Sequence, residues 1–479
     1  MVSLTLKNVL DWTQGQLLNP EHIKIDEVNF DGIGSDTRSN MEGKLFVALK
    51  GDQFDAHEFL PQALGAKTAG VLIHRLPEKM DLKQFQQPVI LVDETAAALQ
   101  RLAKKYRQTC SGTFVGITGS NGKTSTKEFA AAIVSHQKTT HSNKGSFNNH
   151  WGVPFNLLQV DPKTEVVLVE MGMNHSREIE LLVDIANPDV VVCTMVGTAH
   201  IENFGSIEKI AEAKEEIYTF ASPQAKMIFN LDDSNTVKMY EKYRSQRPTC
   251  QFFTFSEKNT SADVQMNVKS MSLDQIEVSG RIVGQVFHVK LSLFGYQNMT
   301  NLMAAACIGL SVGMNPAEIV EALPNCKTTW GRNQKLVLKS GATLLFDAYN
   351  ANPDSMKALL LNLEKMQHSS VIGVFGQMRE LGSVSESAHF EIGKIVGSLK
   401  MKAVWFIGEN EKAFRAGVLE TNTELKQLYT SPSWNEDIQS QLENSIDAKD
   451  LVVMKASRGT RLEQFLSEKI IDPGLMIKS

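Results

Sequence analysis

The residues with the strongest chemical implication form one run, Gly116-Ile117-Thr118-Gly119-Ser120-Asn121-Gly122-Lys123-Thr124-Ser125. Glycines let a backbone turn its N–H groups inward around an anion. Lys123 is spaced to reach the β- and γ-phosphates of a nucleoside triphosphate, and the Thr124 hydroxyl to bind Mg²⁺. Gly119, Ser120, Asn121, Gly122 and Ser125 complete the candidate phosphate cradle. One position departs from the strict pattern: five residues before Gly122 stands Ile117, not glycine. An ordinary glycine-rich turn is the plain alternative, but Gly, Lys and Thr all fall where phosphate chemistry needs them.

Other candidates follow at intervals. Glu170 ends an apolar run and opens Glu-Met-Gly-Met-Asn-His. A carboxylate at the C-terminal end of a parallel strand beside a phosphate loop is placed to hold Mg²⁺; a solvated strand-end glutamate is the alternative. His200, in Gly-Thr-Ala-His-Ile-Glu, also follows an apolar strand. It is a candidate for a second Mg²⁺, although imidazole is an uncommon ligand for that ion. Lys214 lies in Ala-Glu-Ala-Lys-Glu-Glu, a pattern that predicts a solvated helix face with charge pairs one turn apart. Asp347-Ala-Tyr-Asn350-Ala-Asn352-Pro353 can orient an amine or another polar ligand at a strand end, and can equally cap a helix. Arg332, after Gly331, could bridge to a phosphate when domains close, or could lie in solvent.

The elements needed to position these residues are legible as hydrophobic pattern. A β-type run, Thr113-Phe-Val115, precedes the loop, and a helical run, Thr126 to Ser135, follows it. Before it, short strands (45–49, 70–73, 89–92) accompany a helix at 95–109. After it, apolar strands at 165–170, 189–196 and 226–230 alternate with helices such as 206–220, which predicts a parallel sheet covered on both faces. Beyond Ser256 the alternation at 285–293 predicts an antiparallel piece, closed by a helix at 298–312. A third block repeats the α/β rhythm: strands at 342–347, 370–376, 403–407 and 451–455, and helices at 356–366, 386–399 and 460–468. The resulting expectation is an α/β chain of three domains, 1–110, 111–328 and 329–479.

Composition bounds the class. At 479 residues, 42% hydrophobic and 22% charged, the chain reads as a soluble multidomain protein. A net charge of −5 gives no general surface for nucleic acid or membrane. The five cysteines are scattered with no C-x-x-C pair, which predicts reduced thiols. Met1 to Gly15 lacks the pattern of a signal peptide, and no apolar run approaches the ~20 residues that span a bilayer.

In order along the chain, these motifs resemble the Mur ligase family, the cytoplasmic ATP-dependent amide ligases of bacterial peptidoglycan synthesis. The similarity rests on the phosphate loop, the Glu170 and His200 segments, Lys214, Tyr296-Gln-Asn298-Met-Thr-Asn301 and Asp347 to Pro353. It extends to Asn148-Asn149-x-x-Gly152-Val-Pro154, Met378-x-Glu380-Leu-Gly382 with His389, Lys455-x-Ser457-Arg458, and Ser35-Asp36-Thr37-Arg38 in the first block. These finer motifs are similar to those of the member that joins D-alanyl-D-alanine to UDP-N-acetylmuramoyl-tripeptide (UDP-MurNAc-tripeptide). The Asp-Asn-Pro-Arg signature of the sibling that adds the third amino acid is missing from the sequence.

The resemblance implies a small UDP-binding α/β domain, a central phosphate-loop ATPase domain with a parallel sheet, and a C-terminal Rossmann-like domain. It implies ATP and Mg²⁺, an acyl-phosphate intermediate, and a product that is UDP-MurNAc-pentapeptide. Lys123, His200, Arg332 and Asp347 take catalytic roles; Asn298 and Asn301 join the loop and Arg332 in holding the nucleotide. Thr124, Glu170, His200 and, if carbamylated, Lys214 are metal ligands, though this branch is not expected to depend on the carbamate. Ser35, Asp36, Thr37, Arg38, Asn148, Asn149, Asn350 and Asn352 bind substrate. Gln297 stands where the family often has histidine. A monomer in the bacterial cytoplasm, bound neither to nucleic acid nor within a membrane, is expected.

Three rivals remain at this level. The sibling ligase and a folylpolyglutamate synthase share the phosphate loop, but the latter usually begins with its ATPase domain. A regulatory GTPase would normally carry Asn-Lys-x-Asp after a strand. The sequence has Asn230-Leu-Asp-Asp233 instead, and Asn143-Lys144 is followed by Gly145-Ser146.

Overall fold

A computed structural model of the chain describes residues 4–471 except 79, 144, 146, 367, 468 and 469. Three larger sheets succeed one another along it.

The first sheet has five strands, ordered Gln16–Leu17, Val89–Leu91, Gly70–Ile73, Leu45–Val47, Ile33–Gly34. All pair in parallel except the Gln16–Leu17 edge. The helix Thr95–Arg107 that follows buries Ala98, Leu99, Leu102, Ala103 and Tyr106, one side of its 3.6-residue period. That face joins one hydrophobic core with Phe114, Val167 and Val191 of the next sheet. Arg107 fixes the junction: its Nε donates to Ala186 O at 2.9 Å, its Nη2 meets Asp189 Oδ2 at 3.0 Å, and its guanidinium lies 3.7 Å from the Phe114 ring centre.

The central sheet has nine strands. Thr113–Thr118 lies between Val166–Glu170 and Val190–Cys193, parallel to both. The chain thus fills one side of this strand and then crosses to the other, which makes its C-terminal end a topological switch point, where α/β sheets bind ligands. The predicted antiparallel piece is present: Val264–Met271, Ile276–Ile282 and Gln285–Leu291 form consecutive antiparallel pairs. One face of the sheet is covered by Lys123–Val134 and Asn298–Ser311, within a second core.

The last sheet has six strands and is parallel apart from Gln334–Val337 at one edge. Thr343–Asp347 pairs with Leu451–Lys455 so that Asp347 and Lys455 are partners at the strand ends. Cores lie on both faces.

The helix predicted at 460–468 is replaced by two 3-10 turns, Arg458–Thr460 and Leu462–Phe465; residue 468 lies outside the described residues. Arg461 between them sits at φ 56°, a left-handed conformation that interrupts a right-handed helix. The strand expected over 189–196 ends at Cys193. Beyond it, Thr194 Oγ1 donates to Asn121 O at 2.6 Å, and Val196 N donates to Asp233 Oδ2 at 3.0 Å. Among the described residues, no helix is long and apolar enough to cross a membrane.

Candidate active site

The phosphate loop is the four-residue turn from Thr118 to the helix Lys123–Val134. Its two glycines are required by geometry. Gly119 has φ 146°, and a Cβ there would lie 1.9 Å from Thr194 Oγ1; Gly122 has φ 84°, and its Cβ would lie 2.2 Å from Asn301 Oδ1. Lys123 Nζ donates to Gly119 O at 2.7 Å, folding the ammonium back over the loop. Burial pushes the Lys123 pKa down, while the Glu170 carboxylate acts to raise it.

Glu170 ends the neighbouring strand and is buried. Its Oε1 accepts from Thr124 Oγ1 at 3.2 Å and from Asn148 Nδ2 at 2.8 Å. Its Oε2 is buried without a hydrogen-bond partner. A carboxylate oxygen withdrawn from water and unpartnered is costly unless a cation or donor meets it. Thr124 and Glu170 therefore fit a hard, oxygen-seeking ion such as Mg²⁺.

The third block closes over this loop. Arg332 Nη2 donates to Thr124 Oγ1 at 3.1 Å while its guanidinium stacks 4.6 Å from the Tyr349 ring centre. Asn352 Nδ2 donates to Asn121 Oδ1 at 2.8 Å, and Asn352 Oδ1 also caps the helix Pro353–Met366 through Ser355 N at 2.9 Å. The helix-cap reading of that asparagine holds. Thr198 N and Oγ1 each donate to Asp354 Oδ2 at 2.8 Å. His200 Nδ1 lies 2.6 Å from Glu380 Oε2. The contact is within hydrogen-bonding distance but imperfectly aligned. It holds the Glu380 carboxyl below its usual range.

Two cavities meet at Lys123. One, of about 290 Å³, is lined by the loop, Asn298, Asn301, Arg332, Asp347 and Lys455 among others. The second, of about 150 Å³, is lined by Lys123, Asn148, Asn149, Asn174, Glu178 and His200 among others. Asn350 and Asn352 border the first. In it, Asp347 Oδ2 meets Lys455 Nζ at 2.6 Å, and Asp347 Oδ1 accepts from Asn333 N at 3.1 Å. Asn298 Nδ2 donates to Phe294 O at 2.7 Å and Asn301 Nδ2 to Asn298 Oδ1 at 3.3 Å, a chain that holds the wall beside Gly122. Gln297 Oε1 accepts from Asn362 Nδ2 at 2.7 Å.

Lys214 corrects the sequence expectation. It is 1% exposed rather than on a solvated face, with Ala213, Ile217 and Tyr218 buried beside it. Glu212 is exposed on the same helix and the half-buried Glu215 pairs with Lys242 at 2.6 Å, and such glutamates made the segment read as solvated. Burial, aided by the charge of Lys123, brings its pKa down to about 7. Ser35, Asp36, Thr37 and Arg38 border neither of these cavities. Arg38 instead pairs with Asp36, Nη2 to Oδ2 at 2.8 Å, on an open loop. Asn149 caps its own helix through Gly152 N at 2.8 Å. Lys455, Glu380 and Asp354 were not singled out as site residues by sequence. For Lys455 the signal was there: a lysine ending an apolar strand needs a buried partner.

Comparison with known proteins identifies the family. Residues 117–309 match the Mur ligase middle domain, and residues 331–458 match the Mur ligase glutamate ligase domain. The UDP-N-acetylmuramoyl-tripeptide–D-alanyl-D-alanine ligase of Bacillus subtilis is 33% identical over 99% of this chain and all of its own length.

The chain belongs to the Mur ligase family.

A crystal structure of MurF from Acinetobacter baumannii superposes with a TM-score of 0.85 at 27% identity, covering 98% of each chain. One of MurF ligase from Thermotoga maritima in complex with ADP gives 0.76 at 27% identity, covering 91% of this chain and 96% of that one. The three-domain α/β architecture and the ATP-dependent ligase class are those of the family.

Proposed function

We propose that the chain joins D-alanyl-D-alanine to UDP-MurNAc-tripeptide, forming UDP-MurNAc-pentapeptide, ADP and phosphate in bacterial peptidoglycan precursor synthesis. The observation that carries this reading is the meeting of two cavities at Lys123, one floored by the phosphate loop. ATP occupies the larger, and the tripeptide's terminal carboxylate enters the smaller. Full-length similarity to ligases named for this reaction supports the choice of substrates.

A carboxylate is a poor electrophile, so it must be activated. Its oxygen attacks the γ-phosphorus, the bond to the β–γ bridging oxygen breaks, and ADP leaves. The dipeptide amine then attacks the acyl carbon, loses a proton, and phosphate departs with the former carboxylate oxygen. Lys123 and Arg332 neutralise charge on the transferring group. Asp347, held by Lys455, places the amine. Asn298 and Asn301 border the adenosine. Asn148, Asn149, Asn350 and Asn352 contact the substrates, and the 35–38 loop takes the uridine diphosphate. Thr124 and Glu170 would hold Mg²⁺, which when bound neutralises charge on phosphoryl oxygens. His200 is a candidate for a second ion, and Lys214, if carbamylated, would add an oxygen ligand. The working division is 1–110 for the UDP-sugar peptide, 111–328 for ATP and 329–479 for the amine, in a cytoplasmic monomer that binds neither nucleic acid nor membrane. Docking of the last block excludes water from the acyl phosphate.

The test is phosphate release from ATP and Mg²⁺ with UDP-MurNAc-tripeptide, with and without D-Ala-D-Ala. Release that needs both, with a pentapeptide mass, supports the reading. Turnover only with UDP-MurNAc-dipeptide and one amino acid would move the chain to the sibling reaction.

A further inference from the structure

We infer that Glu380 is a positioning residue that sets His200 in the site only when the third block is docked. This rests on the proposed role of His200 as a candidate ligand for a second ion in the cavity it shares with Lys123.

Glu380 and His200 belong to different sheets' loops and approach to 2.6 Å. Both sit in the left-handed region, at φ 63° and φ 66°. Neither is glycine, so each conformation is disfavoured and needs support from its surroundings. The support around Glu380 is built residue by residue. His389 Nδ1 faces Ser385 O at 2.7 Å and its Nε2 accepts from Met378 N at 2.9 Å, which fixes the neutral tautomer with the proton on Nδ1. Arg379 N donates to Ser457 Oγ at 3.1 Å. Glu380 O accepts Glu202 N at 3.2 Å from the central block. Gly382, at φ 53°, lets the loop pass Glu202, where a Cβ would already lie 3.1 Å from Glu202 Cγ.

The loop 378–382 is thus pinned from behind by its own block and presses forward on the helix start beside His200. Glu380 engages Nδ1, which leaves Nε2 for the cavity that His200 lines with Lys123. A carboxylate on one ring nitrogen is the usual means of fixing which way the other faces. Here that carboxylate comes from the third block, together with Asp354, which accepts from Thr198 two residues before His200. Closure and completion of the site become one event.

The test is a double-mutant cycle with His200→Ala, Glu380→Gln and the pair, measured as kcat and KM for phosphate release, with ADP affinity by calorimetry as a readout apart from turnover. Glu380→Gln is close to isosteric; Glu380→Asp serves if it folds poorly, and melting temperature checks both. The expected result is a loss of about 10–100-fold in kcat for Glu380→Gln. ADP affinity should change less than about twofold, and the double variant should be no slower than His200→Ala alone. Losses that multiply in the double variant, or an unchanged kcat for Glu380→Gln, would overturn the coupling while leaving the site intact. Full turnover by His200→Ala would overturn the placement of His200 itself and this inference with it.

Discussion

The seam around Lys123 and the loop Ser35 to Arg38 hold charge in opposite ways. At the seam, Arg332, Asn352, Asp354 and Glu380 cross from the third block to meet Thr124, Asn121, Thr198 and His200. Each group is held by a partner across the seam. On the 35–38 loop, Arg38 pairs with Asp36 two residues away, their side chains 89% and 50% exposed. Such a pair is worth little and is readily exchanged for another partner. The difference follows from the work proposed for each. Phosphoryl transfer needs groups held where charge develops, so that none reorganises during reaction. Holding a diphosphate at a distance from the reacting atoms needs only an available cation.

That contrast orders the expected effects. The largest is at the seam's centre: Lys123→Ala should lower kcat for phosphate release by about 100–1000-fold with the fold intact by circular dichroism. Near-normal turnover would remove Lys123 from the phosphates. Next is the Asp347–Lys455 pair, whose side chains are both largely buried. Asp347→Ala strands the lysine charge and should cost about 3–5 kcal/mol in denaturant unfolding. Asp347→Asn, which keeps the shape, should raise KM for the dipeptide more than for ATP, and equal effects on both would place Asp347 outside the amine's path.

Lys214 gives a pH signature. Its folded pKa of about 7 lies below the ordinary 10.5 of a lysine. The unfolded chain therefore binds more protons between those values, so this group makes stability rise with pH from about 7 to about 10.5. Below about 7 its penalty is constant. Lys214→Met should flatten the dependence of melting temperature on pH across that window; an unchanged slope would mean the ammonium is solvated. The smallest effect belongs to the exposed loop. Arg38→Ala should change stability by less than about 0.5 kcal/mol. It should raise KM for the nucleotide-peptide and leave kcat alone. A fall in kcat would erase the distinction between the two regions.

Much of the fold was legible because its strands are buried on both faces. Gly70–Ile73, Lys226–Asn230, Ala403–Ile407 and Leu451–Lys455 carry near-continuous apolar runs and have the predicted bounds. The helix after the phosphate loop begins at Lys123 rather than Thr126, because the loop's own residues supply its first turn. The 189–196 strand was overread since Thr194-Met195-Val196 continues a run of strand-forming residues, yet the Thr194 hydroxyl and the Val196 N–H turn to Asn121 and Asp233 instead. Within the site, Lys123, Thr124 and Glu170 were readable because phosphate chemistry restricts residue type. Lys214 was not, since helical periodicity among glutamates cannot show which side meets a wall. Nor was the Glu380–His200 contact, which exists only after two blocks dock.

In the proposed reaction a carboxylate oxygen attacks the γ-phosphoryl group at Lys123. The most direct measurement uses UDP-MurNAc-tripeptide labelled with ¹⁸O in its terminal carboxylate, with mass analysis of the released phosphate. One labelled oxygen in phosphate and one in the new amide is the predicted result. Phosphate free of label would contradict it, because the carboxylate would then never have been bonded to phosphorus.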